Sequence, residues 1–269
     1  MRAQHLKASL LVAAAAFAVG AQAQQDSTTA GIEAYREALQ DGNPADLYVD
    51  SGAEIWKKKA GPKEASLEKC DLGLGPGKVK GAYAQLPRYF KDTNKVQDLE
   101  SRLLTCMEKL QGVDTAPIVK AGFNSPQKAD LVALSAYVSS ESKGMKVNVP
   151  MKHPKEKQMY DLGRRLFYYE AGQYDFACAT CHGQEGKRIR LQDLPYIPSA
   201  EGAAKGWTTW PAYRVSSGQM WSMQWRINDC FRQQRFPEPI YASDVTIAIS
   251  SFMAGNSNGA VMQTPGIKR

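Results

Sequence analysis

Cys178-Ala179-Thr180-Cys181-His182 reads C-x-x-C-H, the pattern by which c-type haem is attached to protein. Two thiols one helical turn apart reach the two vinyl groups on one porphyrin edge, and the next residue places an imidazole nitrogen on the iron. A thioredoxin-type dithiol would want a βαβ context that the surrounding sequence lacks, and a zinc site would want further Cys or His close by. The spacing therefore predicts one covalently bound haem c on Cys178 and Cys181, with His182 as its proximal ligand.

The elements that position this motif come from a chain that repeats itself. Trp56 and Ala60-Gly61 precede Cys70 by the spacings with which Phe167 and Ala171-Gly172 precede Cys181. Leu86-Pro87-Arg88-Tyr89 leads to Arg102 and Cys106 as Trp210-Pro211-Ala212-Tyr213 leads to Arg226 and Cys230, with 19 positions from proline to cysteine in both. A third block, 134–138, resembles 249–253. Cys70 to Pro87 is 17 positions and Cys181 to Pro211 is 30, so the second half holds 13 extra residues at one place. The expected fold is mainly α: two tandem cytochrome c-like domains at 24–150 and 151–269. The polar, basic, two-proline stretch 143–158 is the expected linker.

Helical periodicity supports this class. Val245, Ala248, Ile249 and Phe252 predict a helix capped by Asp244 and ending before Gly255. Leu131, Leu134 and Val138 predict another after Asp130, and Met220, Met223, Ile227 and Phe231 a third that stops before Pro237. Alternating strand patterns are scarce, and 24–43 shows only weak periodicity.

In the first half, Leu67, Cys70 and Asp71 stand where Cys178, Cys181 and His182 stand in the second. One thiol and the ligand are gone. That half is expected to hold no haem, and Cys70 to form a disulfide with Cys106. Five cysteines leave Cys230 over. Its counterpart Cys106 pairs with the counterpart of haem-bound Cys181, which aims Cys230 at the iron from the other side. His153, Met220, Met223, Met253 and Met262 compete for that position; Met223 and Met253 suit the core by spacing, and His153 a solvated linker. Arg226 lies four residues before Cys230, on the same helical face, where a cation favours thiolate or holds an oxyanion. Its match with Arg102 allows a structural role as well. Lys187, Arg188, Arg190, Arg214, Arg232 and Arg235 form a candidate basic rim.

Length and composition bound the rest. The 269 residues, 43% hydrophobic and 23% charged, suit one or two globular domains and exclude a disulfide-stapled miniprotein. The apolar run 10–21 follows Arg2 and Lys7 and ends in Ala21-Gln22-Ala23, a secretory signal with cleavage after Ala23, so residues 1–23 are an expected signal peptide and the mature chain is expected in the periplasm. The run is too short to span a bilayer comfortably. A formal charge of +7 with no basic block excludes wholesale nucleic-acid binding.

The exported chain, its duplicated cytochrome c halves, Cys178-Ala-Thr-Cys-His182 and Arg226-Ile-Asn-Asp-Cys230 together resemble the SoxA family, a subunit of the SoxAX cytochrome of bacterial sulfur oxidation. C-x-x-C-H alone is common to cytochromes c; the later Arg-x-x-x-Cys in a duplicated chain discriminates. Leu67 and Asp71 depart from members with haem in both halves and are similar to the single-haem type. The resemblance implies an L-cysteine S-thiosulfotransferase that joins thiosulfate oxidatively to a cysteine of the carrier SoxYZ and passes two electrons to cytochrome c. It implies His182 and Cys230 as axial ligands, Cys230 as the catalytic cysteine, found as a persulfide, Arg226 at the substrate anion, and the small haem protein SoxX as partner. A plain electron-transfer cytochrome and a haem-thiolate sensor are the competing readings.

Overall fold

The computed structural model describes residues 42–189 and 192–268, with 30–31, 34–35 and 37–38. The expected signal peptide, most of the 24–43 leader and Arg190 lie outside the described residues.

The repeat in the sequence is a repeat in space. In the first half, α1 (Ala45–Lys57) packs on α4 (Pro126–Ser140); in the second, α5 (Pro154–Tyr168) packs on α9 (Asp244–Asn256). Both crossings need a glycine. A Cβ on Gly52 would lie 2.1 Å from the Ala133 carbonyl oxygen, and one on Gly163 would lie 1.9 Å from that of Ala248. Only a residue without a side chain lets the backbones approach so closely. Each half continues through a hairpin, β1 (Arg88–Phe90) with β2 (Lys95–Gln97) or β5 (Ala212–Arg214) with β6 (Gln219–Trp221), into a capped helix. These helices are α2 (Leu99–Cys106) and α8 (Met223–Gln233). Short helix α3 (Ala116–Lys120) precedes α4. A last strand, β7 (Gly266–Lys268), adds to β5 in parallel and sets Lys268 beside Arg214.

The second half's extra residues form the hairpin β3 (Arg188–Ile189) with β4 (Gln192–Asp193) and helix α7 (Ala200–Trp207), all between the single-turn helix α6 (Cys178–His182) and Pro211. Both halves share one buried cluster that includes Trp56, Leu72, Leu103 and Leu134 with Trp207, Met223 and Ile249. Cys70 and Cys106 form the expected disulfide, Cα atoms 5.5 Å apart.

Four local expectations are corrected. The helix after Asp130 begins at Pro126 behind Ser125, because proline suits a first helical position. The helix at 244 is preceded by Ser243 as N-cap residue and runs through Gly255 to Asn256. Met220 sits on β6, and α8 begins only after Ser222, whose hydroxyl accepts from the Trp225 N–H at 3.2 Å. The 143–158 stretch is a packed strap and then a helix. Val147 and Val149 are buried, and their N–H groups donate to the Ala260 carbonyl and the Asn258 side chain. Alternation puts both valines inward, a signal masked by the surrounding lysines and prolines.

Candidate functional site

The C-x-x-C-H turn is held from both ends. The Ala177 N–H donates to Thr180 Oγ1 at 2.9 Å, which starts the turn, and Cys178 and Ala179 pack against Phe167, Ile197 and Phe252. His182 Nδ1 lies 2.9 Å from the Pro195 carbonyl oxygen. That carbonyl can only accept, so Nδ1 carries the proton and Nε2 keeps its lone pair for a metal. Burial holds the His182 pKa below its ordinary value; the Pro195 contact opposes this and Arg226 adds to it. Burial and Arg226 together favour the neutral ring, the form that ligates.

Beside this turn lies a cavity of about 830 Å³, lined by Cys178, His182, Arg226 and Cys230 together. Its volume falls in the ~300–1,000 Å³ range of cofactor sites. One wall is the inserted segment: Gln192, Pro195, Tyr196, Ile197 and, on α7, Gly202 and Gly206. A second wall is α8, whose Met223, Arg226, Ile227 and Cys230 fall at i, i+3, i+4, i+7 and so share one face. Ile249 and Met253 of α9 add to the lining. The insertion thus supplies part of the chamber's lining.

These groups fit a haem c. Two thiols sit one turn apart, a neutral imidazole keeps Nε2 free, and a further cysteine, Cys230, lines the same cavity. The buried Gln192 Nε2 and Gln234 Oε1 have no hydrogen-bond partner although both residues line the chamber. Such orphaned groups are costly unless a bound molecule or water satisfies them. Cys181 does not line the cavity, although it lies on the same turn and its charge is felt by both Cys178 and Cys230. Among the described residues no cluster of three or more His, Cys, Asp or Glu gathers to hold a metal ion by itself.

Burial pushes the Cys178 thiol up to about 12, with Cys230 as the next contribution. Burial also raises Cys230, against which Arg226 is the leading opposing influence. Arg226 is oriented by Asp229, its Nη1 3.2 Å from Asp229 Oδ2, and Asp229 also accepts from Arg232 and Gln233 at 2.6 Å. Asp229 was not singled out from the sequence, although the i, i+3 spacing to Arg226 and Arg232 was there to read. The equivalent Arg102 does something else. It is buried, donates from Nε to the Asp71 carbonyl at 2.6 Å and from Nη1 to Asp92 at 2.9 Å, and covers the Phe90 ring. One arginine is enclosed by partners of its own half; the other lines the chamber.

The competing ligands separate in part. His153 caps α5, accepting from the Lys155 N–H at 3.2 Å, and stacks on Tyr89 at 3.7 Å, away from the cavity. Met220 and Met262 are buried and do not line the cavity. Met223 and Met253, which spacing assigns to the core, are the methionines that line the chamber. Of the described residues of the expected basic rim, only Arg214 does so; Lys187, Arg188, Arg232 and Arg235 do not, and Lys205 and Lys268 line it as well.

The family model described as "SoxA/TsdA, cytochrome c domain" matches residues 51–147, in the first half. The chain is 59% identical over 238 residues to the L-cysteine S-thiosulfotransferase subunit SoxA of Hydrogenophilus thermoluteolus, covering 88% of this chain and 87% of that one. It is 37% identical over 264 residues to a protein of the same name from Hydrogenobacter thermophilus, covering 97% and 96%. The crystal structure of SoxXA from P. pantotrophus superposes with a TM-score of 0.72 at 25% identity, covering 87% of this chain and 83% of that one.

Proposed function

We propose, from the premise that this chain belongs to the SoxA family of L-cysteine S-thiosulfotransferase subunits, that its second half is the catalytic half. The chain is a sulfur-transferase subunit of thiosulfate oxidation, and haem c is its cofactor. Cys178 and Cys181 would hold one haem covalently, and His182 and Cys230 would supply protein ligands to its iron. Residues 24–150 form a degenerate cytochrome c-like half, 151–269 the haem-bearing half, and 1–23 the signal that sends the chain to the periplasm. The partner is the haem protein SoxX, in keeping with the SoxXA assembly to which the chain is similar. The observation that carries this reading is the convergence of His182, Arg226 and Cys230 on one chamber.

When bound, the haem supplies an iron that tunes the sulfur ligated to it and a route for electrons. The chain's own residues do the rest. Arg226, held at one Nη by Asp229, keeps further N–H donors for a sulfonate-bearing dianion that a sulfur anion would repel. The buried Cys230 sulfur beside that cation is the nucleophile or persulfide position. The cysteine of the carrier SoxYZ loses its proton, one S–S bond forms between its sulfur and the terminal sulfur of thiosulfate, and two electrons pass to a cytochrome c.

The test is Cys230→Ala in the assembled, haem-loaded protein. Intact mass is expected to keep one haem per chain, the thiolate-type low-spin EPR signal to vanish, and conjugation of thiosulfate to SoxYZ to stop. Continued conjugation would refute the assignment.

A further inference from the structure

The haem-less half reaches directly into the helix that carries Arg226 and Cys230. Position 100 in α2 and position 224 in α8 are equivalent, each 13 residues after its proline, and the two helices meet N-terminus to N-terminus through them. Glu100 and Gln224 are 4% and 0% exposed. Glu100 Oε2 accepts the Gln224 backbone N–H at 3.2 Å, and Oε1 accepts the Tyr241 hydroxyl at 2.5 Å. Gln224 Nε2 donates to Asp98 Oδ2 at 2.6 Å, while its Oε1 accepts the Ala242 N–H at 3.3 Å. Phe123 of the first half stacks on Trp225 with centroids 5.4 Å apart.

A helix begins with N–H groups that have no partner inside it. In α2 they are met locally by a reciprocal capping box, Asp98 accepting from the Ser101 N–H at 2.9 Å and Ser101 accepting from the Asp98 N–H at 3.0 Å. In α8 the residue at the place of Ser101 is Trp225, which cannot reciprocate. Ser222 still accepts the Trp225 N–H, and the N–H one position earlier, that of Gln224, finds its acceptor in the other half, in Glu100. Two residues on is Arg226, and Cys230 is six residues on, ~9 Å along a rigid helix at ~1.5 Å per residue.

We infer that Glu100 is a positioning residue for the transferase site: by completing the cap of α8 it sets where Arg226 and Cys230 stand in the chamber. This rests on the catalytic reading of Cys230 given above. It assigns the first half an active part in the chemistry. The groups facing Glu100 are Asp98 of its own helix, Ser222 and Gln224 of α8, Tyr241 after it, Tyr83, and Lys128 of α4. Burial foremost, then Asp98, pushes the Glu100 carboxyl up to about 7, so glutamine is a fair mimic of its protonated form.

The experiment compares Glu100→Ala, Glu100→Gln and Tyr241→Phe in the haem-loaded subunit with its haem-protein partner. Far-UV circular dichroism checks folding, low-temperature EPR reads the axial ligand geometry, and thiosulfate conjugation gives kcat/KM. Glu100→Ala is expected to move the low-spin g values and lower kcat/KM about tenfold, within the ~10²-fold that a 1 Å misplacement can cost. Glu100→Gln is expected to restore both to within about twofold, because its amide oxygen still accepts the Gln224 N–H and its NH₂ donates to Tyr241. Tyr241→Phe, the milder change, serves if Glu100→Ala does not fold, and is expected to move the g values in the same direction. Folded Glu100→Ala and Tyr241→Phe proteins with parental g values and kcat/KM would overturn the inference, as would a Glu100→Gln protein damaged as much as the alanine variant. Failure of the catalytic reading shows separately, as conjugation that survives Cys230→Ala.

Discussion

Gly163→Ala tests the geometry of the helix crossing that supports the chamber. The added Cβ would stand 1.9 Å from the Ala248 carbonyl oxygen, 2.5 Å from its carbon and 3.0 Å from Phe252 Cβ. A carbon and a carbonyl oxygen rest at ~3.3 Å or more, so α5 and α9 must part by about 1.4 Å. Two of the three close atoms are backbone, which no rotamer change relieves. Such overpacking costs ~1–3 kcal/mol. The helix preference of alanine over glycine returns ~1 kcal/mol, and the aromatic pairs Tyr160–Phe252 and Phe167–Phe252, at 5.4 and 5.3 Å, are loosened. A net loss of about 2 kcal/mol, or roughly 4–8 °C in Tm for a protein of this size, is expected. Because Ile249 and Met253 on α9 and Phe167 on α5 line the chamber, the haem absorption and EPR spectra should shift as well. Gly52→Ala is the control: its Cβ would meet the Ala133 carbonyl at 2.1 Å, so stability should fall comparably while the haem spectra stay put. Denaturant titration and spectra of both variants decide the matter. A Gly163→Ala protein as stable as the parent, or equal spectral shifts from both, would refute the reasoning.

Replacing Cys70 and Cys106 together by alanine opens a loop spanning 36 positions, for which chain entropy predicts a loss of ~4 kcal/mol; a denaturation loss below ~1 kcal/mol would contradict that. The Glu100 carboxyl has its pKa near 7 in the folded chain against an ordinary 4.5, so between those pH values only the folded state holds the proton. Stability from this group is therefore full below pH 4.5, falls as pH rises towards 7 by about 3 kcal/mol at ~1.4 kcal/mol per unit, and is flat above. Glu100→Gln should flatten that slope in urea titrations run across the window, and an unchanged slope would exclude Glu100 as its source. Arg226→Gln removes charged hydrogen bonds to the substrate, worth ~1.5–3 kcal/mol, and should lower kcat/KM for thiosulfate roughly 10- to 100-fold. Asp229 keeps Arg232 and Gln233, so the unfolding midpoint should barely move; unchanged kinetics would remove Arg226 from the site.

Local chemistry was legible from residue types and spacing. The C-x-x-C-H turn, the equal proline-to-cysteine distances, the Cys70–Cys106 pair and the shared face of Arg226 and Cys230 all depend on covalent spacing and helical period, which one dimension carries. The placement of 13 extra residues also told correctly where the two halves differ. Element boundaries were less legible, as at Met220, where a strand ends inside an apparent helical stripe, and at Val147 and Val149, whose inward alternation was hidden among lysines and prolines. Hydrophobic spacing assigned Met223 and Met253 to the core, where Met223 is buried and Met253 packs against it, but the same apolar pattern did not tell that both also line the chamber.

What tertiary structure alone decided is which distant groups meet. His182 takes its tautomer from the Pro195 carbonyl, Arg102 and Arg226 part company because one is enclosed and the other faces a chamber, and α8 is capped by Glu100, 124 positions before its Gln224 partner. None of these has a period or a motif. Each arises when burial strips water from a polar group, so that it must find its partner wherever the fold brings one near.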